Sequence, residues 1–363
     1  MIALALSGGG SRAIAFHLGC LRALNEKGIL NRVSVLSTVS GGSVIGALYA
    51  YSNDDFDSFD KNVVALLRRG LQWSMVLRLF SPYLMAQIAA TTIISRPIGI
   101  VSANLGFGRP FRRWASRSDT LEGTLKSLYK KRRLADVARD NLKVVINACD
   151  LRTGTAFRFG NTHSGAWRYG TIKNNDISVA HAVACSAAYP MFLPAFDRNY
   201  TFMQAGIESR KRVVITDGGV YDNLGITCLE PNRNKSFSLH TFPAEYIICC
   251  HAGYGQTDGA GIPFGFYTRA AATMEALFRK VQDGAIQRLH MYKSSGQLKG
   301  FILPYLGQQD NALPMKPLDL VSRDEVYGYP TNFAGMSRRF IDLLSKRGEQ
   351  LTRLLLAHYC PEL

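Results

Sequence analysis

MIALALSGGGSRAIAFHLGCLRALNEKG, residues 1–28, is the stretch of sequence that decides the fold. A short apolar run from Ile2 to Ser7 ends in three consecutive glycines. Apolar side chains then recur at helical spacing between Arg12 and Lys27, and Gly28 ends the pattern. The chain is therefore predicted to begin with a buried strand, a glycine turn and a helix.

The same order repeats directly afterwards. Residues 33–39 form a second apolar, β-branched run that ends at Ser40-Gly41-Gly42, and residues 44–51 have the pattern of another helix. Strands that alternate with helices predict a parallel sheet covered by helices, the α/β class. Further strands are expected at 142–149, 156–159, 212–216, 245–251 and 301–306, and further helices at 56–70, 177–188, 265–294 and 332–358.

The length and composition of the chain predict one domain over residues 1–363, because no change in composition demands two. We expect a hydrophobic and basic helical insertion at about 56–133 and a helical C-terminal part at about 263–363. Residues 79–95, LFSPYLMAQIAATTIIS, carry no charge. Three interpretations stay open for them: a transmembrane helix, a buried helix pair, or a hydrophobic lid that docks on membranes.

The net charge of +16 favours anionic partners. No nucleic-acid-binding motif is present, so DNA and RNA are not expected. A solvated basic surface without a specific partner stays open, and if the charge has a target, a membrane surface or a nucleotide is favoured over DNA. The basic segment 107–133 is interpreted either as a solvated helix face or as an anion-binding patch. The sequence leaves the oligomeric state open, a homo-oligomer included.

The cysteines and the N-terminus indicate a cytoplasmic protein. Seven cysteines, an odd number, stand mostly in apolar runs, which is typical of reduced, buried thiols. Neither a CxxC pair nor an HExxH pattern occurs, so no metal and no cofactor are predicted. Residues 1–10 lack the basic start of a signal peptide.

The candidate nucleophile is Ser40, in Thr38-Val39-Ser40-Gly41-Gly42 between a strand and a helix. Such a turn lifts a serine hydroxyl out of the sheet, and the following helix directs its positive end at the site. The pattern is a partial G-x-S-x-G, because Thr38 occupies the first glycine position. Taken alone, Ser40 fits an ordinary helix N-cap equally well.

Two further motifs complete the candidate site. The glycines of residues 8–10 expose backbone N–H groups that can stabilise an oxyanion. They also fit a dinucleotide fingerprint, but the second strand ends in Ser40 and not in the acidic residue that such a site needs. Asp217-Gly218-Gly219 follows another β-branched run, and its carboxylate can serve as the base for a serine or as an ordinary turn residue.

In this order, the three motifs resemble those of the patatin-like phospholipase family. The resemblance implies a three-layer fold, with a central, mostly parallel sheet flanked by helices, and a Ser–Asp dyad that forms an acyl-enzyme. It assigns Ser40 and Asp217 to catalysis. It assigns the oxyanion hole to Gly8, Gly9, Gly10 and Gly41, and supporting roles to Arg12, Gly42, Gly218 and Gly219. Ser7, Ala13 and Thr38 depart from the family pattern.

Other polar residues allow alternative interpretations. Of the histidines His17, His181 and His251, the last is the best rival base. Arg12 is interpreted as a loop stabiliser, a phosphate contact or a solvated residue at a helix start. Asp222 is interpreted as a turn or cap residue. Cys185 and Ser186 are interpreted as packing residues.

The leading hypothesis is a phospholipase A-type lipid acyl hydrolase, peripherally associated with the inner membrane. Some bacterial proteins of the family that it resembles are antiphage effectors activated by cyclic nucleotides. The resemblance therefore implies an antiphage effector with the same kind of activation as a further expectation. The rival is a non-catalytic lipid- or nucleotide-binding protein on the same fold, which Ser7 and Thr38 favour. A dehydrogenase is the third alternative.

Overall fold

A computed structural model describes residues 1–106, 115–255, 259 and 261–363. The strands in these ranges are β1 Ile2–Leu6, β2 Val33–Val39, β3 Lys143–Asp150, β4 Thr155–Gly160, β5 Ser164–Ala166, β6 Gly170–Ile172, β7 Phe196–Gln204, β8 Ile207–Asp217, β9 Tyr246–Cys250 and β10 Gly300–Ile302. The helices are α1 Gly10–Glu26, α2 Gly41–Tyr51, α3 Phe56–Arg69, α4 Gln72–Leu79, α5 Pro82–Ala90, α6 Arg96–Asn104, α7 Arg117–Tyr129, α8 Val179–Ser186, α9 Gly219–Asp222, α10 Phe266–Ser294, α11 Arg323–Tyr327 and α12 Arg338–Tyr359. Short 3₁₀ turns at Leu30–Arg32, Lys235–Phe237 and Asp310–Ala312 and a π-helical turn at Thr91–Ser95 complete the description.

All of these strands join one mixed sheet in the order β10-β9-β1-β2-β3-β4-β5-β6-β7-β8. The pairs from β10 to β3 are parallel, and the pairs from β3 to β8 are antiparallel. The strands predicted at 142–149 and 156–159 form an antiparallel hairpin, because β3 pairs antiparallel with β4. Strand β8 also returns to β3 and places Asp217 opposite Ala148.

This register brings the three motifs to one edge of the sheet. Leu6, the last residue of β1, pairs with Thr38 of β2. Val39 pairs with Asn147 of β3, which is the neighbour of Ala148. The glycine turn after β1, Ser40 after β2 and Asp217 at the end of β8 therefore lie side by side.

Helices cover both faces of the sheet, which confirms the predicted three-layer α/β class. On β1, Ile2, Leu4 and Leu6 belong to a core with residues of α1, α2, α3 and α12. Ala3 and Ala5 belong to a second core, on the opposite face, that includes Ala285 and Leu289 of α10. Apolar side chains on both faces are typical of a covered parallel sheet. The predicted extents of the insertion and of the C-terminal part stay predictions.

The insertion begins with the predicted amphipathic helix. Helix α3 buries Phe59, Val63, Leu66 and Leu67, and Asp55 caps it by accepting a hydrogen bond from the Ser58 N–H. Helices α4 and α5, by contrast, contain no buried residue. The interpretation of residues 79–95 as a buried helix pair is therefore wrong. The helical run Pro82–Asn104 is long and apolar enough to cross a membrane, by length and composition alone.

The structure describes the predicted cysteines completely and the predicted basic segment only in part. The seven cysteines are all free and buried, as predicted. Of the basic segment 107–133, residues 107–114 lie outside the described residues.

Candidate active site

Ser40 has a strained backbone, and its side chain does not cap the helix that follows it. Its φ of 50° and ψ of −118° place a non-glycine residue in a region that costs about 1–3 kcal/mol. Ser40 occupies the N-cap position of α2, but its side chain makes no capping hydrogen bond. The N-cap interpretation of its side chain is therefore wrong, and the hydroxyl remains available for chemistry. Such strain is typical of functional sites.

The elbow accommodates Thr38 at the position where the family pattern has glycine. A Cβ atom on Gly46, one turn into α2, would lie 2.5 Å from Thr38 Cγ2, so Gly46 supplies the space for the threonine side chain. A Cβ atom on Gly42 would lie 2.3 Å from the Leu6 carbonyl oxygen. The side chain that Thr38 adds at the glycine position is thus accommodated by the absence of a side chain at Gly46, and α2 stays tightly packed on β1.

Asp217 carries the carboxyl group that faces Ser40. Its Oδ1 accepts a hydrogen bond of 2.7 Å from the Gly219 N–H. Its Oδ2 is buried, with no hydrogen-bond partner among the described residues. Burial raises the pKa of Asp217 to about 7, while hydrogen bonding from Gly219 and from the Ser40 hydroxyl acts in the lowering direction.

The Ser40 hydroxyl therefore interacts with the Asp217 carboxyl group, although it does not form a complete hydrogen bond to Oδ2. Catalytic hydrogen bonds are often long without substrate and tighten when it binds. A carboxyl group with a pKa of about 7 is suited to accept a proton and to return it near neutral pH.

The two glycine turns lie against each other beside Ser40. A Cβ atom on Gly41 would lie 2.3 Å from the Gly10 carbonyl oxygen, so only glycine permits this approach. Gly10 and Gly41 begin α1 and α2, where a helix leaves N–H groups without an intrahelical acceptor. Together with the neighbouring N–H of Gly9, they are suited to bind an oxyanion.

Gly8 does not fit its predicted role as an oxyanion donor. Its N–H donates to the Asn223 carbonyl oxygen at 3.2 Å, so the group is already used. Gly8 contributes space instead, because a Cβ atom there would lie 2.4 Å from Asn223 Oδ1 and 3.2 Å from Ser40 Cβ. Gly218 has a similar role, since its Cβ atom would meet the Asn147 carbonyl oxygen at 2.2 Å.

Arg12 stabilises the loops around the glycine turn. It is buried, and it donates from Nε to the Ala252 carbonyl oxygen at 2.9 Å and from Nη1 to the Tyr329 carbonyl oxygen at 3.2 Å. Its guanidinium also stacks on Tyr254, with Cζ 3.4 Å from the ring centroid. The interpretation as a solvated residue is wrong, and the one as a loop stabiliser is confirmed.

The histidines have other partners. The His251 ring stacks on Tyr305 and its Nδ1 accepts from the Gly253 N–H, while burial lowers the pKa of His251 to about 3. His181 contacts Glu122 and Tyr200. Within the described parts of the chain, no hydrogen bond joins a histidine to Ser40 or Asp217, so His251 as the base finds no support.

Asp222 is a turn residue, as predicted. Its carboxylate accepts hydrogen bonds from the Gly225 N–H and from the N–H and hydroxyl of Thr227. It therefore holds the loop that follows Asp217-Gly218-Gly219 and is not a second base.

Two residues beside the dyad were missed or misjudged from the sequence. The Asn223 carbonyl oxygen accepts a hydrogen bond from the Gly8 N–H, and the Asn223 side chain lies between Gly8 and Gly219. Ser186, interpreted as a packing residue, accepts a hydrogen bond from the Ser40 N–H at 3.0 Å. Both are separated from Ser40 by more than 140 positions in the sequence, so only the sheet register reveals them.

Among the residues that the structure describes, one group of side chains could hold a metal ion. His17, Cys20 and Cys250 are buried, and their ligand atoms lie within 4.8 Å of one another. His17 Nε2 also donates to the Ser7 carbonyl oxygen at 3.0 Å, which places His17 next to the start of the glycine turn. The absence of a metal stays a prediction.

Comparison with known proteins now adds to this geometry. The family described as patatin-like phospholipase matches residues 4–229, which contain all three motifs. The chain belongs to the patatin-like phospholipase family. This membership agrees with the order of the three motifs along the chain: the glycine turn, the serine elbow and Asp217-Gly218-Gly219. It also agrees with their position side by side at one edge of the sheet.

Short stretches of two curated patatin-like proteins are similar to the chain. Lysophospholipase nte1 of Aspergillus fumigatus is 40% identical over 81 residues, which cover 22% of this chain and 5% of that protein. A patatin-like phospholipase domain-containing protein of Caenorhabditis elegans is 52% identical over 54 residues, which cover 15% of this chain and 4% of that one. The alignments thus span about one twentieth of the relatives' lengths.

A solved structure extends the likeness to the whole fold. The human GIVD cytosolic phospholipase A2 superposes with a TM-score of 0.54 at 13% identity, covering 98% of this chain and 58% of that chain. At this identity, the likeness concerns the fold alone, and it agrees with a mixed sheet flanked by helices.

Proposed function

We propose that this patatin-like chain is a lipid acyl hydrolase of the phospholipase A type, with Ser40 as nucleophile and Asp217 as its base. One observation carries the proposal: a strained serine, whose hydroxyl does not cap its helix, contacts a buried carboxyl group that has one oxygen without a hydrogen-bond partner among the described residues. Family membership supports lipid esters as the substrate class.

The reaction begins when the ionised Asp217 accepts the Ser40 proton and the serine oxygen attacks the ester carbonyl carbon. The N–H groups of Gly9, Gly10 and Gly41 stabilise the oxyanion, assisted by the positive ends of α1 and α2. Protonated Asp217 then donates its proton to the departing alcohol. Asp217 then accepts a proton from water as the water oxygen attacks the acyl carbon of the acyl-enzyme. The bond to Ser40 Oγ breaks, the fatty acid leaves, and Asp217 returns the proton to Ser40 Oγ.

Release of fatty acid from phospholipid vesicles tests this proposal. Ser40→Ala and Asp217→Ala are each expected to abolish release, because each removes one partner of the proton transfer. Ser164→Ala is a matched control, since it removes a buried hydroxyl far from the dyad in the β4–β5 hairpin. Full activity in either dyad variant contradicts the mechanism. Inactive wild-type protein that still binds vesicles favours the non-catalytic alternative.

We also propose that the enzyme docks on anionic membranes, peripherally and from the cytoplasmic side. Helices α4–α6 expose large apolar side chains, which a solvated surface does not normally collect. The docking surface consists of Trp73, Leu77, Phe80, Tyr83, Met85, Ile93, Ile98, Ile100 and Val101. The net charge of +16 favours approach to an anionic bilayer.

Binding to phosphatidylglycerol vesicles tests the docking surface. Leu77 and Phe80 are each 70% exposed, so Leu77→Asp/Phe80→Asp is expected to leave the fold intact and to weaken vesicle binding at least tenfold. Leu318→Asp is the matched control, because Leu318 is fully exposed but lies outside the docking surface. Equal binding of the double variant and the wild type contradicts this surface. Resistance to extraction by alkaline carbonate favours a spanning helix instead.

The proposed activation by a cyclic nucleotide, and with it an antiphage role, has one supporting feature. A pocket of about 730 Å³ lies at the end of α2 opposite Ser40, lined by Tyr51. Arg69, Lys130 and Arg132 also line it, and no ion pair of theirs occurs in the described ranges. Three cations and one lining acid, Asp54, suit an anionic ligand.

Calorimetry with cyclic di- and trinucleotides tests this regulation. Arg69→Ala/Arg132→Ala is expected to lose binding and activation, whereas Lys211→Ala/Lys316→Ala, at exposed sites elsewhere, is not. Fewer phage plaques on bacteria that express the wild type, compared with Ser40→Ala, are expected. If no cyclic nucleotide binds or raises activity, the regulatory proposal fails and the hydrolase proposal stands.

The oligomeric state is a separate question. The mass of the protein in solution tests whether the chain forms a homo-oligomer.

A further inference from the structure

The hydroxyl of Ser186 lies at the junction of the nucleophile elbow and the base. Ser186 ends α8 and is completely buried. Its Oγ accepts from the Ser40 N–H at 3.0 Å and donates to the Asn147 carbonyl oxygen at 2.6 Å. A third contact, of 2.8 Å, joins it to Ser43 Oγ in the first turn of α2.

The backbone of the same segment holds the base. The Ser186 carbonyl oxygen accepts from the Gly218 N–H at 3.2 Å, and the Ala188 carbonyl oxygen accepts from the Asp217 N–H at 3.1 Å. One short segment, residues 186–188, therefore bonds to the residue that supplies the nucleophile and to the residue that supplies the base.

The backbone of Ser40 needs such a partner. Its φ of 50° is unfavourable for a non-glycine residue, and strained residues persist only where their surroundings determine the conformation. The hydrogen bond from the Ser40 N–H to Ser186 Oγ fixes the orientation of that peptide. Without it, a buried N–H would lose its acceptor, and the elbow would relax toward an unstrained conformation.

We propose that Ser186 is a positioning residue that holds Ser40 and Asp217 at the separation required for proton transfer. The inference rests on the proposed dyad. Ser186 itself touches no reacting atom, so it acts through Ser40 and not on the substrate.

A graded series of substitutions tests the role. Ser186→Ala is expected to lower kcat about 10- to 100-fold with KM within twofold, because displacement of the reacting groups slows the chemical step and not binding. Ser186→Thr keeps Oγ and is expected to recover most of kcat, and Ser186→Cys, a weaker acceptor, to fall between. Ser164→Ala is the control, since its Oγ likewise accepts a buried N–H, from Gly160, at 3.1 Å.

The pH profile separates positioning from loss of stability. The Ser40 hydroxyl lowers the pKa of Asp217, so a looser contact is expected to move the acidic limb of kcat/KM to higher pH in Ser186→Ala. The titratable neighbours Tyr189 and Cys149 have raised pKa values because of burial, so they stay neutral in this range. Ser164→Ala is expected to keep the wild-type limb.

Each outcome decides the proposal. A folded Ser186→Ala protein with kcat within twofold of the wild type overturns it. So does a loss of activity that follows only the folded fraction and leaves the acidic limb in place. If Ser186→Ala does not fold, the order of kcat in wild type, Ser186→Thr and Ser186→Cys decides. Activity in Ser40→Ala refutes the dyad itself, a result distinct from any of these.

Discussion

Asp217, the proposed base, is predicted to destabilise the folded protein at the pH where its buried carboxyl group is ionised. Asp217 has a pKa of about 7 in place of an ordinary 3.8, so the folded protein holds this proton more tightly than the unfolded chain. The free energy of unfolding therefore falls as pH rises from about 4 to about 7. Each pH unit corresponds to about 1.4 kcal/mol, so the loss above pH 7 reaches about 4 kcal/mol.

Asp217→Asn removes this cost and the base together. The amide oxygen can still accept from the Gly219 N–H, while the amide group cannot be ionised. We expect the variant to lose at least about 100-fold in kcat, which is typical for a general base. At pH 8, the same variant is expected to be more stable than the wild type by up to about 4 kcal/mol.

Urea unfolding followed by circular dichroism at pH 4, 5, 6, 7 and 8 measures this difference. The two stabilities are expected to coincide near pH 4 and to diverge up to pH 7. Asp222→Asn is the contrasting control, because its amide keeps only one acceptor oxygen and so loses at least one of the three hydrogen bonds in this turn, and the variant is expected to be less stable than the wild type. A stability gap in Asp217→Asn that does not change with pH refutes the reasoning about Asp217.

Three further predictions follow from the same geometry. First, kcat/KM is expected to rise with pH around a midpoint near 7, because the base must be ionised, and an optimum near pH 5 contradicts this. Second, Gly46→Ala is expected to cost about 1–3 kcal/mol in urea unfolding. Adding Thr38→Ser to Gly46→Ala removes Cγ2 but keeps the hydroxyl, and is expected to recover most of the lost free energy of unfolding. If the double variant is no more stable than Gly46→Ala, the clash with Thr38 Cγ2 is not the cause of the loss. Third, Ser40→Gly is expected to raise the Tm and abolish hydrolysis, because glycine adopts φ of 50° without strain. A lower Tm speaks against strain at the elbow.

Much of the fold follows from local sequence patterns. The runs at residues 2–7 and 33–39, each followed by glycines and a helix, determine the parallel half of the sheet. The antiparallel return of β8 onto β3 depends on pairing across more than 60 residues, and no local periodicity encodes it. The sequence therefore predicts Asp217 as a base but cannot place it opposite Ala148.

The details of the site depend on contacts between distant segments. That Gly8 lacks a free N–H follows from Asn223, which lies more than 200 positions away. The role of Ser186 follows from the meeting of α8 with the elbow, since a serine in a small-residue helix is locally indistinguishable from packing. The exposure of α4–α6 was ambiguous for a similar reason, because apolar composition alone fits a core, a lid and a membrane contact.

The assignment of Ser40 as the nucleophile that Asp217 activates is tested most directly by covalent labelling. A fluorophosphonate probe, followed by peptide mass spectrometry, reports which serine attacks and how fast. We predict one labelled serine, Ser40, with no labelling of Ser40→Ala and labelling of Asp217→Asn slowed at least about 100-fold at pH 8. Labelling of another residue, or an unchanged rate in Asp217→Asn, would contradict the proposed dyad.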